Sequence, residues 1–146
     1  MKVYLDNCSL QRPLDDKSQV RVALEAEAVL SVLTLGQQSV IDLVHSDALL
    51  YEIERTPDVQ RRLFATEALQ GAKIHIHFTE RVVAQAKEFE RSGIKPLDAL
   101  HVASAEAAEA TYFCTCDDRL IKRLKSIPTL AVTVVTPLEL IQEVLA

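Results

Sequence analysis

Glycine is scarce in this chain, three in 146 residues, and the shortage removes one class of function at once. A phosphate-cradling loop of the P-loop or Rossmann type needs several glycines at fixed spacing, and none is present. Long apolar runs are also missing, since no stretch approaches the ~20 residues that span a bilayer. The amino terminus has no basic, apolar and small-residue order of a secretory leader; Met1-Lys2-Val3 enters a strand pattern directly. A cytoplasmic location is the expectation. Three cysteines are an odd number and build no complete disulfide framework. Cys114 and Cys116 lie two apart inside an apolar run, unlike the C-x-x-C of a redox or zinc site, and read as small core residues. Cys8 is given the same packing role. Serine and cysteine form no nucleophile elbow. Basic excess is absent too: a net charge of −5 argues against a dedicated nucleic-acid-binding module. It does not exclude an enzyme that acts on nucleic acid through metal ions.

What is present is an alternation of strand and helix patterns in a chain that is 49% hydrophobic. Lys2 to Leu5 reads as a first strand, followed by a polar connection from Asn7 to Asp16. Ser18 to Leu35 carries a helical stripe through Val20, Leu24 and Ala28, with Leu30, Val32 and Leu33 filling in and Gly36 as its stop. Glu25 and Glu27 read as its solvated face. Val40 to Val44 is the second strand, and Asp42 within it has no evident purpose. Asp47 is expected to cap a helix with Leu49, Leu50 and Ile53 inward, ending at Thr56-Pro57. Asp58 caps the next, which runs to Gln70. Ile74 to Phe78 alternates strictly and is a strand; His75 and His77 share one face of it, which reads as a solvated face before a pair that could hold a metal. Thr79 caps a helix from Glu80 to Arg91, ended by Gly93. Pro96 opens another through Ala110. Tyr112 to Cys116 is the fourth strand, a basic helix follows Asp117-Asp118, Leu130 to Val135 is the fifth strand, and Pro137 starts a last helix. Such alternation predicts one domain over residues 1–146, a mainly parallel sheet of about five strands with helices on both faces.

Four acids then stand out: Asp6, Glu52, Asp98 and Asp117. In an open α/β sheet the reactive crevice lies beyond the carboxyl ends of the strands, where Asp6 and Asp117 fall. Asp98 joins them if its helix starts on that side. Glu52, a turn into its helix, faces either the crevice or solvent. Crowded carboxylates repel one another, and a hard cation such as Mg2+ or Mn2+ is the natural compensation. Plainer readings stand beside this one: Asp117 as a helix cap, Asp98 as a charge favoured by its helix dipole. His101, a turn beyond Asp98, reads as a satisfied buried histidine or an orienting group.

Four segments in order resemble the PIN domain family of metal-dependent ribonucleases: Val3-Tyr4-Leu5-Asp6-Asn7-Cys8, Ser46-Asp47-Ala48-Leu49-Leu50-Tyr51-Glu52, Lys95-Pro96-Leu97-Asp98-Ala99-Leu100-His101-Val102-Ala103 and Thr115-Cys116-Asp117-Asp118-Arg119-Leu120. The resemblance implies a three-layer α/β/α fold with Asp6, Glu52, Asp98 and Asp117 as catalytic and metal-holding acids around Mg2+ or Mn2+. It implies endoribonuclease activity, an RNA substrate and, as in VapC-like toxins, an antitoxin partner and a homodimer. Accessory roles fall to Asn7, Ser9, Thr115 and Asp118, the last either an acid of the site or a plain cap. Arg12, Arg119, Lys122 and Arg123 are the cations expected to engage the RNA backbone. The extended Asn7 to Asp16 connection departs from the family pattern. Two alternatives remain: a catalytically silent PIN-like binding module, and a phosphatase with Asp6 as nucleophile. The latter normally has a second aspartate two residues on, where this chain has Cys8.

Overall fold

Backbone hydrogen bonds join five strands into one all-parallel sheet of order β3-β2-β1-β4-β5. They are β1 (Lys2–Leu5), β2 (Asp42–Ser46), β3 (Ile74–Ile76), β4 (Tyr112–Cys114) and β5 (Thr133–Val135). The computed structural model describes residues 1–146. The helices are α1 (Asn7–Gln11), α2 (Val20–Gln37), α3 (Asp47–Glu54), α4 (Val59–Ala68), α5 (Glu80–Arg91), α6 (Pro96–Ala107), α7 (Asp118–Lys125) and α8 (Pro137–Leu145). From β1 the chain steps outward to β2 and β3, then returns past β1 to β4 and β5. Right-handed crossovers therefore set α2 and α4 on one face and α5, α6 and α7 on the other. Helix α8 packs on α2 and on β4 and β5. The three-layer α/β/α expectation holds.

Strand β1 is central, and Val3, Tyr4 and Leu5 are buried as a continuous run because helices cover both faces. Its register, Val3 beside Leu43 and Tyr112, Leu5 beside Cys114, sets the carboxyl ends of β1 and β4 side by side. The chain direction across the sheet reverses there, which is where such folds open a crevice. No helix is long and apolar enough to cross a membrane.

Several local expectations are corrected. The Asn7 to Asp16 connection is not irregular: Asp6 caps α1 by accepting from Ser9 N–H at 3.0 Å, and a 3-10 turn, Arg12–Leu14, follows. The stripe of α2 holds at Ala28, Val32 and Leu33 but is rotated in its first turns, and Leu30 is exposed. Val20 and Leu24 are exposed, and Glu25, Ala26, Ala28, Val29, Val32 and Leu33 face the core. Glu25 is thus buried, held by Arg12 at 2.9 Å, whereas Glu27 is exposed as expected. Gly36 lies inside α2, where it lets Leu43 approach; a Cβ there would sit 3.1 Å from Leu43 Cδ1. The reversal comes at Ser39, with φ 59°. Strand β2 starts two residues late because Val40 N–H is spent on Leu35 O at the end of α2, and pairing to β1 begins with Asp42 N–H on Met1 O. Ser46, not Asp47, caps α3.

Candidate metal centre

Asp6 follows β1 directly and is 5% exposed. Its Oδ1 accepts from Ser9 N–H and from the Cys8 thiol, both at 3.0 Å. Burial raises its carboxyl above the ordinary value, with Thr115, Cys8 and Ser9 acting in the opposite sense. Across the crevice, Asp117 caps α7, accepting from the N–H groups of Arg119 and Leu120 at 3.0 and 3.2 Å. Thr115 links the two acids. Its Oγ1 accepts from Asp117 N–H at 3.1 Å and lies 3.5 Å from Cys8 Sγ. Cys8 is therefore more than a packing residue, since its thiol donates to the buried carboxylate.

Asp98 lies in the first turn of α6, half-buried, and lines a small cleft of about 80 Å3 with Asp117, Lys95, Arg119 and Arg123. Its carboxyl is raised by burial and then by the charges of Asp6, Asp117 and Glu52, against the lowering effect of His101. The other three acids thus all act on Asp98. A larger cavity, about 270 Å3, lies by Ile41 and Asp42 at the amino end of β2, on the opposite edge of the sheet.

Glu52 enters through a relay. His101, a turn beyond Asp98 and buried, stands 2.7 Å from Glu52 Oε1 through Nε2 and 2.6 Å from the Tyr4 hydroxyl through Nδ1. Tyr4 also meets Ser46 Oγ at 2.7 Å. A carboxylate only accepts, so His101 donates from Nε2 and accepts at Nδ1 from Tyr4, which in turn accepts from Ser46. Glu52 is held on the crevice side by this chain, and the sequence holds no signal for Tyr4 and Ser46 as its members.

The remaining expected residues divide. Arg119 lines the cleft and Lys122 is exposed on α7. Arg123 lines the cleft too and donates to Gly93 O. Lys95, which sequence reasoning missed, joins them because the turn before Pro96 brings it there. Arg12 turns inward to Glu25 and Asp15, both at 2.9 Å, which corrects its expected role as a free phosphate contact. Asp118 neither joins the acids nor caps: it forms a bidentate pair with Arg21, both bonds 2.7 Å, because Asp117 already supplies the cap. Ser9 Oγ donates to Cys114 O at 3.2 Å and is fully buried. Asn7 Oδ1 accepts from Gln11 at 3.0 Å. Both side chains thus serve the seating of α1 rather than a phosphate.

The donor set is hard and anionic, which suits Mg2+ or Mn2+. The acids do not bring three ligand atoms within 4.8 Å of one another. A loose set fits Mg2+, which binds through one or two carboxylates and keeps several waters.

A parallel sheet with acids beyond its two central strands, and further acids delivered by flanking helices, defines an α/β fold with an anionic crevice at its switch point. The PIN domain profile matches residues 3–127, and the chain belongs to that family, whose members are generally nucleases using divalent metals. Among solved structures it is similar to FitAB bound to an IR36 DNA fragment, at 16% identity and TM-score 0.59, covering 92% of this chain and 94% of that one. It is also similar to VapBC2 from Rickettsia felis bound to a DNA fragment from their promoter, at 16% identity and TM-score 0.61, covering 93% and 98%. At that identity the likeness is one of fold. No curated protein matches the sequence.

Proposed function

We propose that this chain is a Mg2+- or Mn2+-dependent endoribonuclease and the toxin of a type II toxin–antitoxin pair. The observation that carries the reading is the cleft in which Asp98 and Asp117 stand among Lys95, Arg119 and Arg123, with Asp6 buried beside it. Acids and cations lining one cleft match a phosphodiester held by its oxygens beside a divalent ion.

Asp6, Glu52, Asp98 and Asp117 would hold the ion, directly or through water. When bound, it supplies an activated water and neutralises charge growing on the phosphate. His101 fixes the orientation of Glu52, and Thr115 fixes the turn that presents Asp117. Arg119, Lys95 and Arg123 position the backbone without reading bases. The exposed apolar residues Leu50 and Tyr51 on α3, with Val59 and Leu63 on the adjoining α4, are the surface offered to an antitoxin.

Replacing Asp98 with Asn tests the activity. Mn2+-dependent cleavage of a labelled RNA should fall at least ~100-fold, the scale of losing one charge-stabilising group, with the melting temperature unchanged or higher. Equal cleavage by wild type and variant would remove the proposal. Preferential cleavage of single-stranded DNA would keep the site and correct the substrate.

A further inference from the structure

Three of the chain's four histidines gather away from the acidic crevice, at the carboxyl ends of β2 and β3. His75 and His77 share one side of the edge strand, as residues two apart do. Their expected neighbour was solvent; instead both rings meet the same oxygen. Asp47 Oδ1 lies 2.7 Å from His75 Nε2 and 3.3 Å from His77 Nδ1. Asp47, His75 and His77 are the only trio of potential ligands whose atoms all fall within 4.8 Å of one another. The His45 ring lies tilted against His75 at 4.8 Å between centroids, and its Nδ1 accepts from Ser46 N–H.

We infer that Asp47, His75 and His77 form a second metal site, separate from the acidic crevice, for a borderline transition cation such as Zn2+. Two imidazoles and a carboxylate are a zinc-type donor set, whereas an all-carboxylate crevice favours Mg2+ or Mn2+. The spacing agrees. Ligands ~2.0–2.1 Å from a tetrahedral ion stand about 3.4 Å apart. The His77 contact already has that length, and the His75 contact needs to open by about 0.7 Å. His77 is 74% exposed, so its ring moves freely and the fourth position opens to solvent.

The site also has an anchor of the kind metal ligands use. Asp47 Oδ2 accepts from Phe78 N–H at 2.9 Å, which fixes the carboxylate plane and leaves Oδ1 for the ion. An ion here would tie the short edge strand β3 to the first turn of α3, the helix that carries Glu52. Strands pack ~4.8 Å apart, so β3 stands ~10 Å from β1 and Asp6. One ion does not serve both places.

Titration of the metal-stripped full chain with ZnCl2, by calorimetry, tests the assignment together with visible absorption of the Co2+-loaded protein. Wild type and Asp98→Asn should both bind an ion with a four-coordinate Co2+ spectrum. His77→Ala, at an exposed position, should keep its melting temperature without metal, bind Zn2+ at least ~10-fold more weakly and lose that spectrum. His75→Ala should do the same. No Zn2+ binding by wild type, or equal binding by His77→Ala, overturns the assignment. So does loss of the ion in Asp98→Asn, which would put it in the crevice. RNA cleavage plays no part in the readout, so failure of this site and failure of the nuclease reading remain distinct.

Discussion

Asp117 caps α7 with the same carboxylate that lines the cleft, and serine separates the two roles because it caps as well as aspartate does. Asp117→Ser should keep stability within ~0.5 kcal/mol while abolishing Mn2+-dependent cleavage; Asp117→Ala should lose cleavage and ~1 kcal/mol together. Thermal melts beside an RNA assay decide it, and a serine variant that still cleaves would reduce Asp117 to a cap. Asp98 gives a pH signature. Its carboxyl is raised first by burial and then by Asp6. A raised acid holds its proton more tightly folded than unfolded. Between the ordinary value near ~3.9 and the raised one the folded state binds more protons, so stability falls as pH rises through that window and stays lower above it. In metal-free protein, Asp98→Asn should therefore gain melting temperature over wild type as pH goes from ~4 to ~7, and Mn2+ should close the gap. Arg12 makes a different kind of test. Its guanidinium covers Glu25, whose side chain is 1% exposed, and Arg21 Nε at 3.5 Å is the only other cation there. Removing Arg12 strands a buried carboxylate, so Arg12→Ala should cost about 3 kcal/mol in urea unfolding. Glu25→Gln should cost less, since it removes the buried charge and leaves Arg12 paired with Asp15.

Among the elements, the turn between α5 and α6 does most to build the cleft. Gly93 has φ 90°, and its carbonyl accepts from Arg123 on α7. Lys95 and Asp98 follow within five residues. An alanine at that φ is strained by about 1–2 kcal/mol. Gly93→Ala should lower the melting temperature by that equivalent and weaken RNA binding, because the start of α6 shifts against α7. Fluorescence anisotropy with a labelled RNA measures the second effect; unchanged affinity would mean that α6 is held by its packing on α5 alone. The helix caps show why most boundaries were readable. Asp58 and Thr79 each act through a bond to a residue three further on, and Pro137 through its own fixed φ, so local sequence carries their signal. The rotation of α2 was not readable. Val20 and Leu24 look like a core stripe until Arg12, thirteen residues before Glu25, neutralises a charge that the helix turns inward.

At the scale of the whole molecule, the proposed function requires a chain of net charge −5 to handle a polyanion through very few cations. Arg12, Arg21 and Arg61 are occupied by Glu25, Asp118 and Asp15. Lys95, Arg119 and Arg123 remain at the cleft, with Lys122 beside them on α7. Single-stranded RNA binding should therefore show a shallow salt dependence, with a log–log slope of about −2 to −3, at roughly 0.7 per phosphate contact. A slope steeper than about −5 would require a basic surface that this molecule does not have at the cleft.

Sequence by itself determined the class of the molecule. Strand and helix periodicities, proline and threonine starts, and an aspartate ending each of two apolar runs are local patterns, and they specified a parallel α/β sheet with Asp6 and Asp117 at its carboxyl edge. Only tertiary structure decided what surrounds each acid. Tyr4, Ser46 and His101 are separated by up to 97 residues, yet they form the relay that holds Glu52. Cys8 bonds Asp6 because α1 folds back after β1, and Asp118 is drawn out to Arg21. Asp47 finds two histidines because β3 pairs with β2 in one register, Ser46 beside Ile76. Periodicity records which way a side chain points along its own element. The partner it meets depends on strand order and register, which no local stretch of residues encodes.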